Sequence, residues 1–269
     1  MTWLRQALPA YSQIAMMWVK RERQSHSNSA IWMAGSIVQI FLMVAIWKAA
    51  YGTRPSVAGM GLGQVTTYVA LVTFQTWLIP PFIVGFMQER VRQGVVAVDL
   101  VRPVGLLGQI AAHQVGMTLS YGLYLIVALP VAMLVGWVGA PVTPGAGVAY
   151  GLSIALGYAT SVMVGMLMAL AAFWLFQVGG IQMMYFFIGR FFSGGIVPLS
   201  FLPGPLQFAA RAMPFQAMGF IPAGIYVGVI RGSAVLWDLL IQAGWFLCLL
   251  LLARLIWALA RRSLLIQGG

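Results

Sequence analysis

A group of charged residues lies between residues 88 and 104, a stretch that we name the charged segment. Its charged side chains have both signs: Glu89, Arg90, Arg92, Asp99 and Arg102. Mixed charges of this kind set register and specificity where one protein docks on another. A basic loop that only anchored the chain to lipid would not need Glu89 and Asp99. The pattern therefore favours docking of a partner protein.

Other kinds of chemical site have little support in the sequence. No G-x-x-x-x-G-K-[ST] loop is present, so we expect any ATP hydrolysis to belong to another polypeptide. His26, His113 and Cys248 lie far apart in the sequence, and no metal site is expected. Ser193 with His113 is the one candidate pair for an intramembrane serine protease, but His113 is better explained as a polar packing residue. We expect no enzyme active site on this chain.

The composition is that of a membrane protein. Of 269 residues, 61% are hydrophobic and 7% are charged, against roughly 25% charged in an average soluble domain. Lipid must therefore cover part of the apolar surface. The net charge of +11 comes from short basic clusters between apolar runs. This arrangement is typical of loops that face anionic lipid, and it does not favour nucleic acid as a partner.

Six apolar stretches are each long enough to cross a bilayer core, which takes about 20 residues. A charge-free run from Pro103 to Gly189 is divided by turn-forming residues at 139–145 and 177–180. The predicted spans are 27–47, 65–87, 106–137, 147–176, a fifth from about 182, and 235–258. The sequence thus predicts an all-α integral membrane protein with a six-helix transmembrane domain at 27–260 and a tail at 261–269.

Residues 1–26 are predicted to form an amphipathic helix in the membrane interface. Apolar residues recur from Leu4 to Val19 at near-helical spacing, and polar residues such as Arg5 and Lys20 fill the other side. With this helix inside the cell, ten Lys and Arg residues face the cytoplasm and four face outward. The positive-inside bias therefore predicts that both termini are cytoplasmic.

Small residues recur at every fourth position of the fourth predicted span, from Gly145 to Ala169. Gly157, Ser161 and Gly165 belong to this stripe. In lipid, small residues mark the face where helix backbones approach closely. Packing within the bundle is the favoured interpretation, and packing against a partner subunit remains the alternative.

Residues 198–231 form a proline-rich segment between the fifth and sixth spans. Its prolines rule out one continuous helix, yet the segment is too apolar for a solvated loop. Short helices that re-enter the outer leaflet would satisfy both facts, provided that protein covers their backbone. Such a segment suits an outer gate, for which the candidate residues are Pro198, Pro203, Pro214 and Phe215.

This arrangement resembles the permeases of ABC-2 type exporters, and the resemblance extends over nearly the whole chain. Residues 88–94, followed by 99–103, are similar to the E-x-x-x-G … L-x-R-P pattern of one bacterial subfamily. A second block of that subfamily is similar to Phe192-Ser193, Val197-Pro198-Leu199, Leu202-Pro203 and Met213-Pro214-Phe215.

The resemblance implies that the charged segment is a coupling helix that docks on a separate ATPase subunit. The coupling residues would then be Glu89, Arg90, Arg92, Asp99, Arg102 and Pro103. ATP and Mg²⁺ would belong to that subunit, leaving no cofactor on this chain. The resemblance also implies two ATPase subunits and a second permease, which is either a copy of this chain or a paralogue.

A transport pathway between two permeases would, by the same resemblance, be lined by spans two and five. Candidate lining residues on span two are Gln64, Thr66, Thr67, Tyr68, Thr73, Gln75 and Thr76. Interhelical hydrogen bonding explains these polar residues equally well.

The expected function is ATP-driven export of an amphipathic or cationic small molecule, drug-like or antibiotic-like, or of a lipid-like substrate. The expected location is the bacterial cytoplasmic (inner) membrane. The alternative is a membrane protein outside this class, such as a secondary transporter, a channel or a scaffold. A secondary transporter usually places an acidic residue at mid-membrane, whereas Asp238 lies near the outer end of span six. A channel or scaffold would not predict the charges clustered at 88–102.

Overall fold

The computed structural model describes residues 2–22, 26–78, 83–102, 104–175, 177 and 179–267. The predicted coupling residue Pro103 lies outside the described residues. The α-helices in the described part are α1 Thr2–Glu22, α2 His26–Tyr51, α3 Leu62–Leu78, α4 Ile83–Arg92, α5 Val96–Val101, α6 Leu106–Leu134, α7 Pro144–Ala171, α8 Gly179–Phe192, α9 Gly204–Arg211, α10 Phe220–Tyr226 and α11 Ser233–Gln267. Two short 3-10 helices, Leu199–Phe201 and Pro214–Met218, flank α9.

A small antiparallel hairpin connects α2 to α3. Strand β1 (Ser56–Val57) pairs with β2 (Met60–Gly61) across a two-residue turn. Both turn residues have left-handed backbone, with φ of 48° at Ala58 and 78° at Gly59. A tight hairpin turn requires this backbone because it matches the twist of the strands.

Four described helices are long and apolar enough to cross a membrane. They are Met33–Tyr51 within α2, Leu106–Leu134, Pro144–Ala171 and Ser233–Arg261 within α11. They coincide with the first, third, fourth and sixth predicted spans. The second predicted span contains Pro80-Pro81 and is covered by α3 and α4, with 79–82 outside the described residues, and the fifth coincides with the shorter α8. Six crossings and a re-entrant outer segment therefore stay predictions.

Helix α1 packs closely along α6. An added Cβ at Gly108 would lie 2.5 Å from the Tyr11 ring, and one at Gly116 would lie 2.4 Å from the carbonyl oxygen of Ala15. At Gly116 the neighbouring atoms are backbone, so only glycine permits the approach there, and Ala112 between the two glycines is also buried. The sequence predicts α1 as an interfacial helix, and this seam holds it against the start of α6.

The buried side chains form two clusters. The first joins α2, α3, α10 and the hairpin, and includes Ile40, Met60, Tyr68, Ile221 and Ile225. The second joins the charged segment to α6, α7 and α11, and includes Met87, Val96, Leu106, Leu170 and Ala253. The long helices α7 and α11 pack against each other, so they hold the framework on which the charged segment is mounted.

Candidate docking site and the elements behind it

A tight turn separates the two helices of the charged segment. Helix α4 ends at Arg92, and Gly94 then adopts left-handed backbone with φ of 71°. The amide of Gly94 donates to the carbonyl of Val91, at 3.1 Å. This bond gives a donor to one of the carbonyls that have no partner within the last turn of the helix. A glycine at this position lets α5 begin almost at once in a new direction.

Asp99 on α5 forms the electrostatic centre of the charged segment. Its carboxylate accepts two hydrogen bonds from Arg90, at 2.5 Å from Nε and 2.6 Å from Nη2, in a bidentate pair. Arg102 Nη1 lies 3.3 Å from the same carboxylate. Only 4% of the Asp99 side chain is exposed, against 24% for Arg90 and 48% for Arg102. The ion pairs thus face water on the arginine side only.

Gln109 at the start of α6 fixes the backbone around this carboxylate. Its side-chain amide donates to the carbonyl oxygens of Asp99 and Val104, each at 2.9 Å. The charged segment is therefore joined to α6 by hydrogen bonds as well as by the chain itself. The sequence argument did not identify Gln109, although a glutamine one turn into an apolar span was visible as a signal.

The outer face of the charged segment is exposed and of mixed character. Glu89 and Arg92, three residues apart on α4, are both exposed. The side chain of Glu89 accepts a hydrogen bond from Gln93. On α5, Val98 is 59% exposed and Val101 is 86% exposed. Exposed apolar residues beside charged ones are what a partner-docking surface requires.

The predicted coupling residues therefore divide into two groups. Asp99 and Arg90 bind each other and brace the segment from inside, and Arg102 joins them with half of its side chain exposed. Glu89 and Arg92 present charge outward. The sequence pattern placed all of them in one group because it contains no information about which way each charge points.

Five of the seven predicted lining residues are buried in this one chain, and Gln64 and Thr76 are half-buried. Tyr68 is 1% exposed and donates to the carbonyl of Gly194, at 3.0 Å. Gln64 donates to the carbonyl of Val227, at 2.8 Å, and the Thr67 hydroxyl accepts from the amide of Gly139, at 3.0 Å.

The other candidates on α3 make local or weaker bonds. The hydroxyls of Thr66, Thr73 and Thr76 donate to carbonyls three or four residues earlier in the helix. Gln75 lies 3.5 Å from the hydroxyl of Tyr150 on α7. The set as a whole performs interhelical and intrahelical hydrogen bonding in this chain, and a lining role stays a prediction.

The small-residue stripe of α7 faces the 3-10 helix Pro214–Met218. An added Cβ at Gly157 would lie 2.4 Å from the carbonyl oxygen of Ala217. Ser161 is also buried, and its hydroxyl donates to Tyr158 of the same helix, at 2.7 Å. Gly165 is half-buried.

A polar group that the sequence argument missed lies beside this stripe. Gln242 of α11 is fully buried and donates to the carbonyl oxygens of Ala217, at 2.7 Å, and Ser153, at 3.0 Å. Its own side-chain oxygen accepts from the Ser153 hydroxyl, at 2.9 Å. One amide thus joins α7, α11 and the proline-rich segment. A lone glutamine within the apolar run of span six was the available signal.

The candidate gate residues begin or brace the short helices of the proline-rich segment. Pro198 and Pro203 immediately precede the helices that start at Leu199 and Gly204, and Pro214 begins the second 3-10 helix. Phe215 packs against Tyr185 of α8, with ring centroids 5.9 Å apart. From residue 216 to residue 228 every side chain is buried.

The Ser–His pair considered from sequence is not assembled. The Ser193 hydroxyl donates to the carbonyl of Arg190, at 3.1 Å. The His113 ring instead stacks on Phe86, at 3.9 Å between centroids, and meets Trp18 edge-on at 4.2 Å. Among the described residues, no group of three or more His, Cys, Asp or Glu could hold a metal ion.

The family of the chain is established by comparison with known sequences. The family model of the ABC-2 family transporter proteins matches residues 33–268, which covers the charged segment, the proline-rich segment and every long apolar helix. The sequence departs from the subfamily pattern E-x-x-x-G at one point, because four residues separate Glu89 from Gly94 and the pattern has three. A search of the curated proteins finds no match. The chain belongs to the ABC-2 family of transporter proteins and is a multi-pass membrane permease of an ABC transporter.

Proposed function

We propose that this chain is the transmembrane half of an ATP-driven exporter, in which two permeases pair and each docks one ATPase subunit through its charged segment. The family supports a permease that works with an ATPase and usually as a dimer. The proposal adds the direction of transport, the docking residues and an amphipathic or cationic small molecule or lipid-like substrate. It also adds a bacterial inner-membrane location with both termini in the cytoplasm.

The observation that supports docking most directly is the exposed face of the charged segment. Two valines, Val98 and Val101, are exposed on α5, and the charged residues Glu89 and Arg92 are exposed on α4 of the same segment. Asp99 fixes the segment from behind through a carboxylate that is almost entirely buried. Specific protein interfaces combine exposed apolar and charged side chains, and this segment offers both.

Charge reversal on this face tests docking. We expect the double variant Glu89→Lys, Arg92→Glu to lose at least about tenfold of the ATPase that co-purifies with the tagged chain, because like charges placed opposite each other cost several kcal/mol and about 1.4 kcal/mol is tenfold. The ATPase is identified by mass spectrometry as a polypeptide with a phosphate-binding loop. Arg54→Glu, an exposed reversal in the loop before β1, serves as the control.

Wild-type recovery of the ATPase with the double variant would refute docking through α4. Equal loss with Arg54→Glu would show a general effect of charge instead. Thermal unfolding of both variants in detergent separates either result from misfolding.

Orientation is tested by labelling single cysteines in intact cells with a membrane-impermeant thiol reagent. Thr143→Cys and Gln93→Cys would each be made in a Cys248→Ser background, and both positions are exposed in the chain. We expect labelling at position 143 only. Labelling at position 93 and not at 143 would overturn the proposed topology.

A further inference from the structure

A cavity of about 350 Å³ lies between α1, the charged segment and the start of α6. Its apolar lining includes Ile14, Met17, Trp18, Phe86, Leu106 and Ile110. Its polar lining consists of Arg21, Arg90, Arg102, Asp99, Gln109 and His113. The cavity thus joins an apolar wall to a cationic one, and neither the docking proposal nor the family assignment uses it.

The cationic wall has an excess of positive charge. Arg90 and Arg102 both bind the one carboxylate, Asp99, while Arg21 of α1 has its guanidinium 4.9 Å from the centre of the Trp18 ring. Three arginines against one aspartate leave two positive charges in the lining. Of the three, Arg90 is partly desolvated, with 24% of its side chain exposed, and such a charge attracts an anion more strongly than one on an open surface does.

His113 supplies an unused hydrogen-bonding group at the same place. Its side chain is held between Phe86 and Trp18, and the residue is 3% exposed. Nε2 of this ring has no hydrogen-bond partner among the residues that the structure describes. Leaving such a group unsatisfied costs about 1–3 kcal/mol, so a ligand oxygen at this position would stabilise the site.

The position of the cavity indicates which anion fits. Helix α1 has the amphipathic pattern of an interfacial helix, and α6 begins its apolar run at the cavity, so the cavity lies where lipid headgroups meet acyl chains. Basic pockets between helices at this depth bind acidic headgroups. A free phosphate ion would leave the apolar wall unused.

We propose that this cavity binds an acidic phospholipid, with its phosphate between Arg21, Arg90 and Arg102 and its glycerol and upper acyl carbons against Trp18 and Phe86. A bound lipid would bridge α1 to the charged segment and so stabilise the surface on which docking is proposed. The site does not depend on transport or on an ATPase, because all of its residues belong to this chain.

The test is lipid-dependent thermal stability of the full-length chain in a nonionic detergent. Phosphatidylglycerol, phosphatidylcholine and inorganic phosphate are titrated separately. We expect a saturable rise in the unfolding midpoint with phosphatidylglycerol alone. Arg21→Gln should weaken binding and raise the half-saturating lipid concentration about fivefold. One basic residue near the surface contributes about 1 kcal/mol to the binding of an acidic lipid. Lys20→Gln removes the same charge from an exposed neighbour outside the cavity and should change it less than twofold.

Three results would overturn the proposal. An equal response to phosphatidylcholine would show that the site does not select a headgroup with a net negative charge. An equal response to inorganic phosphate would assign the site to a soluble anion. Equal effects of Arg21→Gln and Lys20→Gln would show diffuse attraction to the basic surface. The lipid-free midpoints of both variants are measured as well, and the rise produced by lipid is counted from each variant's own midpoint.

Discussion

The charged segment and the proline-rich segment are both made of short helices joined by tight turns, but different kinds of bond hold them. Asp99 binds Arg90 and Arg102 as ions, with both arginines partly in water. In the proline-rich segment, the neutral side chain of Gln242 binds the backbone carbonyl of Ala217 in a fully buried position. The first segment uses charge where solvent can reach it, and the second uses neutral donors where solvent cannot.

The difference follows from the cost of desolvation. An ion buried without water costs several kcal/mol, whereas a buried irregular backbone needs only donors for its free carbonyls. Tyr68 and Gln64 supply such donors to Gly194 and Val227 in the same way as Gln242 does. Only the charged segment should therefore respond to salt, and mutations can test this.

The largest effect is expected from crowding the proline-rich segment. Gly157→Leu places a side chain where a Cβ alone would lie 2.4 Å from the Ala217 carbonyl oxygen. The backbone must move, and we expect a loss of about 3 kcal/mol in the free energy of unfolding, at the upper end of overpacking costs. The measurement is thermal unfolding in detergent.

Gly151→Leu is the matched control for this substitution. Gly151 lies on the same helix, is exposed, and would have no atom within 4 Å of an added Cβ. Leucine is a better helix and membrane residue than glycine, so this variant should be neutral or stabilised. Equal destabilisation at both positions would mean that glycine is needed in α7 for a reason other than close packing.

A smaller loss is expected from removing the buried donor. Gln242→Leu leaves the carbonyls of Ala217 and Ser153 without this donor, which should cost about 2 kcal/mol. The cost should not change between low and high salt, because no charge is involved. Ser153→Ala and the double variant complete a mutant cycle, and strict additivity would show that the Ser153 and Gln242 side chains act independently.

The smallest loss is expected at the charged segment. Asp99→Asn keeps the shape but leaves two arginines without their counter-ion, at a cost of about 1 kcal/mol because both arginines are partly solvated. Raising the ionic strength should reduce that cost by screening the two positive charges from each other. Glu89→Gln, an exposed change in the same segment, should stay within about 0.5 kcal/mol. A salt-independent cost at Asp99 would break the contrast between the two segments.

The long helices and the turns between them could be predicted from the sequence, because their signals are local. Apolar length predicted α2, α6, α7 and α11, and the turn before α7 is explained by Thr143, whose hydroxyl accepts from the amide of Ala146, at 3.1 Å. The second predicted span coincides with α3 and α4, and residues 79–82 between them lie outside the described part of the chain.

The roles of individual polar residues could not be predicted in the same way. Gln64 and Tyr68 bind carbonyls of Val227 and Gly194, far along the chain, and no local pattern indicates such partners. Asp99 and Glu89 look alike in sequence, yet one is buried and the other exposed because of the turn at Gly94. The role of each of these residues depends on where its side chain points in the fold, which the residue type does not indicate.

Helix α7 makes the two segments mechanically dependent on each other. Ser153 meets Gln242 beside the proline-rich segment, and Leu170 lies in the cluster that supports the charged segment. Seventeen residues of rigid helix separate them, a distance of about 25 Å at 1.5 Å per residue. A tilt of about 5° at one end would displace the other by about 2 Å, more than the 2.9 Å hydrogen bond from the Ser153 hydroxyl to Gln242 can absorb without breaking. A tilt of α7 at the charged segment would therefore strain the contact that Ser153 makes beside the proline-rich segment.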